Sequence, residues 1–313
     1  HTFYKKEATA QQPATSKEEG NLVAFSGPDF KATFDKQSGL LTSYLYKKHE
    51  YILNGQGPRP FFWRAPTDND YGANLPVRLK AWKEASYQEP KAESFQVTPG
   101  SNATTVKVTY RFPQTEARWN ITYKIYASGV IKVDNRFMAE GDQAPMIPRV
   151  GLRMQLPESF TDLTYYGRGP KENYRDRRTS QFIGEYAIPV KDMYEPYVRP
   201  QENNHRTDIY WCALTDKTQR GLLLIADRTF ELNASNYPLE SMDSGDTIDN
   251  GAPRTEKTHH RHLTDPLPEK MVDLFIDYRM MGVGGDDSWG ATAHEPYLIR
   301  PGKENAIEYG FSL

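Results

Sequence analysis

Strict alternation of apolar and polar residues limits how this chain can fold. In TTVKVTYRF, Val106, Val108, Tyr110 and Phe112 alternate with Lys107, Thr109 and Arg111. In RWNITYKIYASGVIKVDNRF, Trp119, Ile121, Tyr123 and Ile125 alternate with polar residues. Ala-Ser-Gly at 127–129 then turns the chain, and Ile131 and Val133 resume the pattern. Successive strand side chains point to opposite faces, so this is a hairpin with one buried and one wet face. GLLLIADRTFELNAS (221–235) and MVDLFIDYRM (271–280) read as further strands, the first too apolar to have a wet face throughout. One helix is expected in LPVRLKAWKEASY, with Asn74 as its cap and Leu79, Trp82 and Ala85 at helical spacing. The chain has 22 Gly and 22 Pro to make its turns. The fold class is therefore all-β: one large, mostly antiparallel β-sandwich with one or few short helices.

Residues 1–20 are polar and aperiodic, like a linker or the tail of a preceding domain, and the strand-rich domain is expected over 21–313. The chain opens on His1 rather than Met, as a piece cut from a longer protein would. Its 39 basic and 41 acidic residues leave a net charge of −2, which gives no reason to expect nucleic acid or an anionic membrane as partner. No uncharged apolar run approaches the roughly 18 residues of a membrane span. The single cysteine, Cys212, cannot form an internal disulfide and leaves the compartment open. The 20 Tyr, 14 Phe and 5 Trp suit a protein that stacks rings on sugars. They equally suit an aromatic sandwich core, and that reading is preferred for most of them.

The known catalytic motifs are missing: there is no Walker A loop, GxGxxG, HExxH, GxSxG or paired cysteine ligand set. In THHRH (258–262), His260 and His262 would share a strand face, but no third ligand lies near in sequence, so a hydrogen-bonded strand edge is preferred to a metal site. Asp68, Asn69 and Asp70 in APTDNDYG could ligate calcium or sodium, yet such residues also build turns, and a structural turn is preferred. YGRGPKENYRDR (166–177) and RPQENNHRTD (199–208) are dense in Arg, Asn, Asp and Glu. Each could bind sugar hydroxyls, or tie strands together by guanidinium–carboxylate forks, and the second reading is favoured. Asp286 and Asp287 are adjacent, so on a strand they would face apart and make a poor acid/nucleophile pair for glycoside hydrolysis. In MGVGGDDSWG (281–290) the glycines admit positive φ, and the run reads as a turn that holds up the Trp289 indole, for the core or for a ligand.

PFFWRAPTDNDYG (60–72), YYGRGPKENYRDRR (165–178), YVRPQENNHRTDIYWCALTD (197–216) and MGVGGDDSWG (281–290) occur in this order. Together they resemble the C-terminal, small-chain domain of glycoside hydrolase family 2 β-galactosidases, over about residues 21–313. The resemblance implies a galactose-mutarotase-like supersandwich. It implies a position behind a sugar-binding domain, two immunoglobulin-like domains and a TIM barrel, with both catalytic glutamates on the barrel. In the family's best-known form the tryptophan of the DDSW motif reaches the barrel's active site and packs against the sugar. The matching residue is Trp289, with Gly284, Gly285, Asp286, Asp287 and Ser288 shaping its loop. One departure is Asn204, where the family's RPQENGxR pattern has Gly; Asn tolerates the left-handed region better than most residues.

The resemblance thus implies an accessory domain of a retaining β-galactosidase, inactive alone and acting on β-galactosides through the parent enzyme. It implies no catalytic residue, metal or cofactor in this chain, and places any Mg or Na of the parent in the missing domains. The partners expected are those domains and further copies of the full-length enzyme, in a bacterial periplasm or cytoplasm. Two other readings are a free-standing carbohydrate-binding module, and a mutarotase with His205 and Glu202 as its acid and base.

Overall fold

The computed structural model describes residues 12–141, 145–243, 262–287 and 290–313. Five strands form one sheet in sequence order: β1 (Thr15–Glu19), β2 (Leu22–Ser26), β3 (Phe30–Asp35), β4 (Leu41–Tyr46) and β5 (His49–Glu50). After β6 (Arg59–Phe61) come three short helices, α1 (Asp68–Gly72), α2 (Leu75–Arg78) and α3 (Lys80–Tyr87). Then follow β7 (Ala92–Thr98), β8 (Thr104–Phe112), β9 (Ala117–Ile125), β10 (Ile131–Ala139), β11 (Arg149–Pro157), β12 (Asp162–Gly169), β13 (Phe182–Pro189), β14 (Arg206–Thr215) and β15 (Gly221–Ser235). Helix α4 (Leu239–Met242), β16 (Met271–Met280) and β17 (Ile307–Ser312) close the chain. The second sheet has 12 strands, with the path β13-β12-β14-β15-β17-β10-β9-β8-β7. At β15 it forks: β16 also pairs β15, β11 pairs β16, and β6 pairs β11. All these pairings are antiparallel. This is the all-β sandwich that the alternation predicts.

The alternating segments behave as their period requires. Val106, Val108, Tyr110 and Phe112 of β8 are buried beside Trp119, Ile121, Tyr123 and Ile125 of β9 and Ile131 and Val133 of β10. Gly129 turns the hairpin at φ +95°, donating its amide to Tyr126 O at 3.0 Å. The small sheet lies on this face, with Phe34 packed 5.0 Å from Tyr123 and the Tyr44 hydroxyl bonded to Gly129 O at 2.9 Å. Phe62 is the hub of the aromatic core, its ring centroid 4.9 Å from both Trp82 and Phe112 and 5.4 Å from Trp119. β15 has a wet face only in its first part, since Phe230–Ser235 is wholly buried.

Three local expectations change. The tail expected over 1–20 contains β1, which pairs with β2 from Thr15 to Glu19. Both faces of β1 are exposed, so its TSKEE sequence carries no hydrophobic alternation; charged residues suit an edge strand. The single helix expected after Asn74 is two, broken at Leu79 (φ −112°, ψ 17°). Asn74 sits in the left-handed region without capping through its side chain, while Leu79, Trp82 and Ala85 are buried as the spacing predicts. The Asp68–Asp70 turn is the start of α1, capped by Thr67, whose hydroxyl accepts the Asp70 amide while the Asp70 carboxylate accepts the Thr67 amide.

Candidate functional site

The Gly-rich loop leaves β16 at Met280 and its first residues are bonded on both backbone edges. On the carbonyl edge, Arg64 donates to Met281 O at 2.7 Å and Gly282 O at 3.0 Å, and the Asn69 amide donates to Val283 O at 3.0 Å. On the amide edge, Met281 N bonds Pro148 O and Gly282 N bonds Tyr297 O. Val283 N and Gly284 N both bond the Asp176 carboxylate, at 3.2 and 2.7 Å. The glycines serve close approach rather than the positive φ that the sequence suggested, since only Gly290 of this run has one. A Cβ on Gly282 would sit 2.6 Å from Asp176 Oδ2, and one on Gly285 would sit 2.6 Å from Ala291 O.

Each group that grips the stem is itself held. Arg64 is 2% exposed and forks onto Asp70, Nε to Oδ2 at 3.0 Å and Nη2 to Oδ1 at 2.8 Å. Burial draws its pKa down, but Asp70 outweighs this and holds it above the ordinary value. Asp176 stands on the tight turn 174–177, closed by paired bonds between the Tyr174 and Arg177 backbones. Asp70 and the Asn69 amide nitrogen thus bond the protein itself. No group of three or more His, Cys, Asp or Glu that could hold a metal occurs among the described residues.

The two Arg- and acid-rich motifs form one network. Glu172 accepts the Asn204 amide at 2.8 Å and also bonds Arg177 and the Tyr197 hydroxyl. Asn173 holds Thr207 through its amide and hydroxyl, and Asp208 binds Arg168 and Arg178. Asn204 adopts φ +60°, the left-handed turn expected at that departure from the family pattern. His205 and Glu202 do not pair as a mutarotase acid and base. The His205 ring is wholly buried, with Nδ1 on Asn233 at 2.6 Å and Nε2 on Glu231 at 2.9 Å, while Glu202 accepts from Asn233 at 3.0 Å. Burial would lower the His205 pKa, but the Glu231 bond and charge raise it. Nearby Asp277 is pushed up to about 7 by burial, against the pull of Arg149 and His205.

These motifs enclose a polar cleft of about 260 Å³. The first supplies Asp68 and Asn69, the second Tyr174 and Arg177, the third Gln201 and Glu202, and the loop Val283. Beyond the stem, Asp286 is 79% exposed and bonds His294 at 2.8 Å, and Asp287 accepts the Ala291 amide at 3.3 Å. Ser288 and Trp289 lie outside the described residues, as does His260. His262 is exposed and its amide bonds Asp265. The sequence reading missed Arg64, Glu231 and Asn233, and had Asp176 only as a member of the 166–177 patch. For Arg64 a signal existed: a guanidinium inside the apolar run FFWRAP must find a buried partner. Cys212 is a buried free thiol whose pKa burial raises.

Fold and cleft define an antiparallel β-sandwich domain whose sequence motifs meet around one loop. The model of the β-galactosidase small chain matches residues 26–313, and the chain belongs to that family. It is 33% identical over 291 residues to a β-galactosidase of Priestia megaterium, covering 93% of this chain and 26% of that protein. It is 30% identical over 294 residues to a β-galactosidase of Halalkalibacterium halodurans, covering 93% and 27%. The chain thus spans about a quarter of the length of the curated relatives it matches. The solved structure of an aldose epimerase homologue of C. elegans aligns with 91% of this chain and 94% of its own, at 10% identity and a TM-score of 0.41. No helix among the described residues is long and apolar enough to cross a membrane.

Proposed function

We propose that this domain is the C-terminal accessory part of a retaining β-galactosidase. Its Gly-rich loop presents Trp289 to the active site of a catalytic barrel carried elsewhere in the enzyme, where the indole packs against the terminal galactose. The observation that carries this reading is the division of the loop into a clamped stem and an exposed tip. Residues 281–284 are bonded on both edges by Arg64, Asn69 and Asp176, while Asp286 stands in solvent. Such a stem fixes the direction in which the tip leaves the domain.

On this reading hydrolysis proceeds in two steps through a glycosyl intermediate on the barrel, and this chain alone leaves galactosides intact. Any Mg or Na belongs to the other domains, and the full-length enzyme assembles from several copies. The test is Trp289→Ala in the full-length enzyme. KM for lactose and for aryl galactosides should rise about tenfold or more, the loss of one stacking contact of about 1.4 kcal/mol or more. Unchanged KM and kcat for both substrates would sink the role of Trp289.

A further inference from the structure

We propose a saccharide-binding site in the cleft at the fork of the large sheet, beyond the role given to the loop. β15 pairs β17 only at Ile225 and Ala226, then turns away to pair β16 from Glu231 to Ser235. The residues between, Asp227–Thr229, therefore part from β17, whose Glu308–Gly310 keeps β10 as its neighbour. A cleft of about 720 Å³ opens there, and it shares no lining residue with the cleft beside the loop. That volume lies in the range that takes a small ligand, roughly 300–1,000 Å³, and suits a disaccharide.

The lining chemistry selects the ligand class. Arg136, Arg228 and Arg279 line it with Asp134, Asp227 and Glu308. Lys132 pairs both Asp227 and Asp134, and Arg136 pairs Glu308, so the acids of the cleft are already matched by cations. Between them stand the Asn120 amide and the Thr122 and Thr229 hydroxyls. Donors and acceptors so interleaved match sugar hydroxyls, each of which donates once and accepts twice. Tyr278 and Tyr309, 6.2 Å apart, supply ring surface. At Gly310 a Cβ would fall 2.4 Å from Asp227 Oδ2, 2.9 Å from Asp134 Oδ1 and 3.1 Å from Lys132 Nζ, so the glycine lets this ion cluster lie against the strand at one end of the cleft. Arg228 is exposed at the cleft and makes no ion pair among the described residues.

The experiment is a titration of this 313-residue chain with lactose and with cellobiose, read by saturation transfer to the sugar protons and by calorimetry. Saturation transfer to at least one sugar is expected. Asn120→Ala and Arg228→Ala should each weaken binding about tenfold, because each removes one hydrogen-bonding group of about 1.4 kcal/mol, and Arg228→Ala should keep the thermal midpoint unchanged. Arg228 is exposed, so its variant keeps the fold even where Asn120→Ala, which loses the Thr109 bond, is weakened. Trp289→Ala should leave this binding unchanged, which separates it from the role of the loop. Absence of transfer to both sugars, binding that survives both alanine variants, or displacement by inorganic phosphate would each overturn the proposal.

Discussion

Asp176 receives the Gly284 amide at 2.7 Å, and a second bond from Val283 N makes its carboxylate a two-point clamp on the loop stem. The acid and the glycine are far apart in sequence and come from different motifs. The clamp works because Gly282 and Gly284 carry no side chain, which lets the carboxylate lie against the backbone.

Removing the clamp should loosen the stem without unfolding the domain. Asp176→Ala deletes a charged acceptor from two backbone donors, a loss of about 1.5–3 kcal/mol where the donors stay dry and less where water enters. Hydrogen exchange should quicken at 282–287 and stay unchanged in β8 to β10. Equal quickening across the whole sheet would show a global effect and contradict a local clamp.

The glycines of the stem should differ in tolerance. Gly282→Ala places a methyl 2.6 Å from Asp176 Oδ2 and 2.8 Å from Ala293 Cβ, so carboxylate and loop must both shift. Overpacking of this kind costs about 1–3 kcal/mol. Gly284→Ala meets only Asp176 Oδ2, at 3.1 Å, and that side chain can yield. Urea unfolding of the two variants should rank Gly282→Ala clearly the less stable, and a reversed order would contradict the crowding seen here.

The strands that were readable are those with one dry and one wet face. Val106 to Phe112 and Trp119 to Ile125 declare themselves because each second residue is polar. Strand β1 escaped because both its faces are wet, and the fork at β15 escaped because pairing order leaves no trace in period. The site was legible as motifs and not as geometry. Nothing in the spacing of Arg64, Asp176 and Gly284 says that they meet, since long-range pairing of turns is set by the sheet that carries them. His205 shows the same limit: its neighbour Glu202 looked like a partner, but the strands bring Glu231 and Asn233 to the ring instead.

Phe62 should be among the most sensitive core positions. It touches Trp82, Phe112, Trp119 and Phe137, and no single neighbour can collapse into the space that it fills. Phe62→Ala should cost about 3–5 kcal/mol, and Phe62→Leu clearly less. Thermal or urea unfolding reads this directly, and a loss under about 1 kcal/mol would mean that the aromatic cluster is not the centre of the core.

Stability should fall as pH rises through neutrality, because two buried groups act with the same sign. Asp277 is wholly buried, neither of its oxygens has a hydrogen-bond partner, and burial pushes its pKa up to about 7 from the ordinary 3.8. Arg149, 3.2 Å away, and His205 pull it down, while Glu231 and Glu202 push it up. Between the two values the native state holds a proton that the unfolded chain has released, so stability declines over that window by up to about 1.4 kcal/mol per pH unit. The raised pKa of His205 adds a contribution that is full below the ordinary 6.5 and is lost as pH climbs through the raised value. Asp277→Asn removes the first contribution and keeps the second. Urea midpoints from about pH 5 to about pH 8 should therefore fall less steeply in Asp277→Asn than in the parent chain below the ordinary His value. Parallel profiles for the two proteins would show that Asp277 is ionised in the native state throughout, and would overturn the assignment of the proton to this carboxyl.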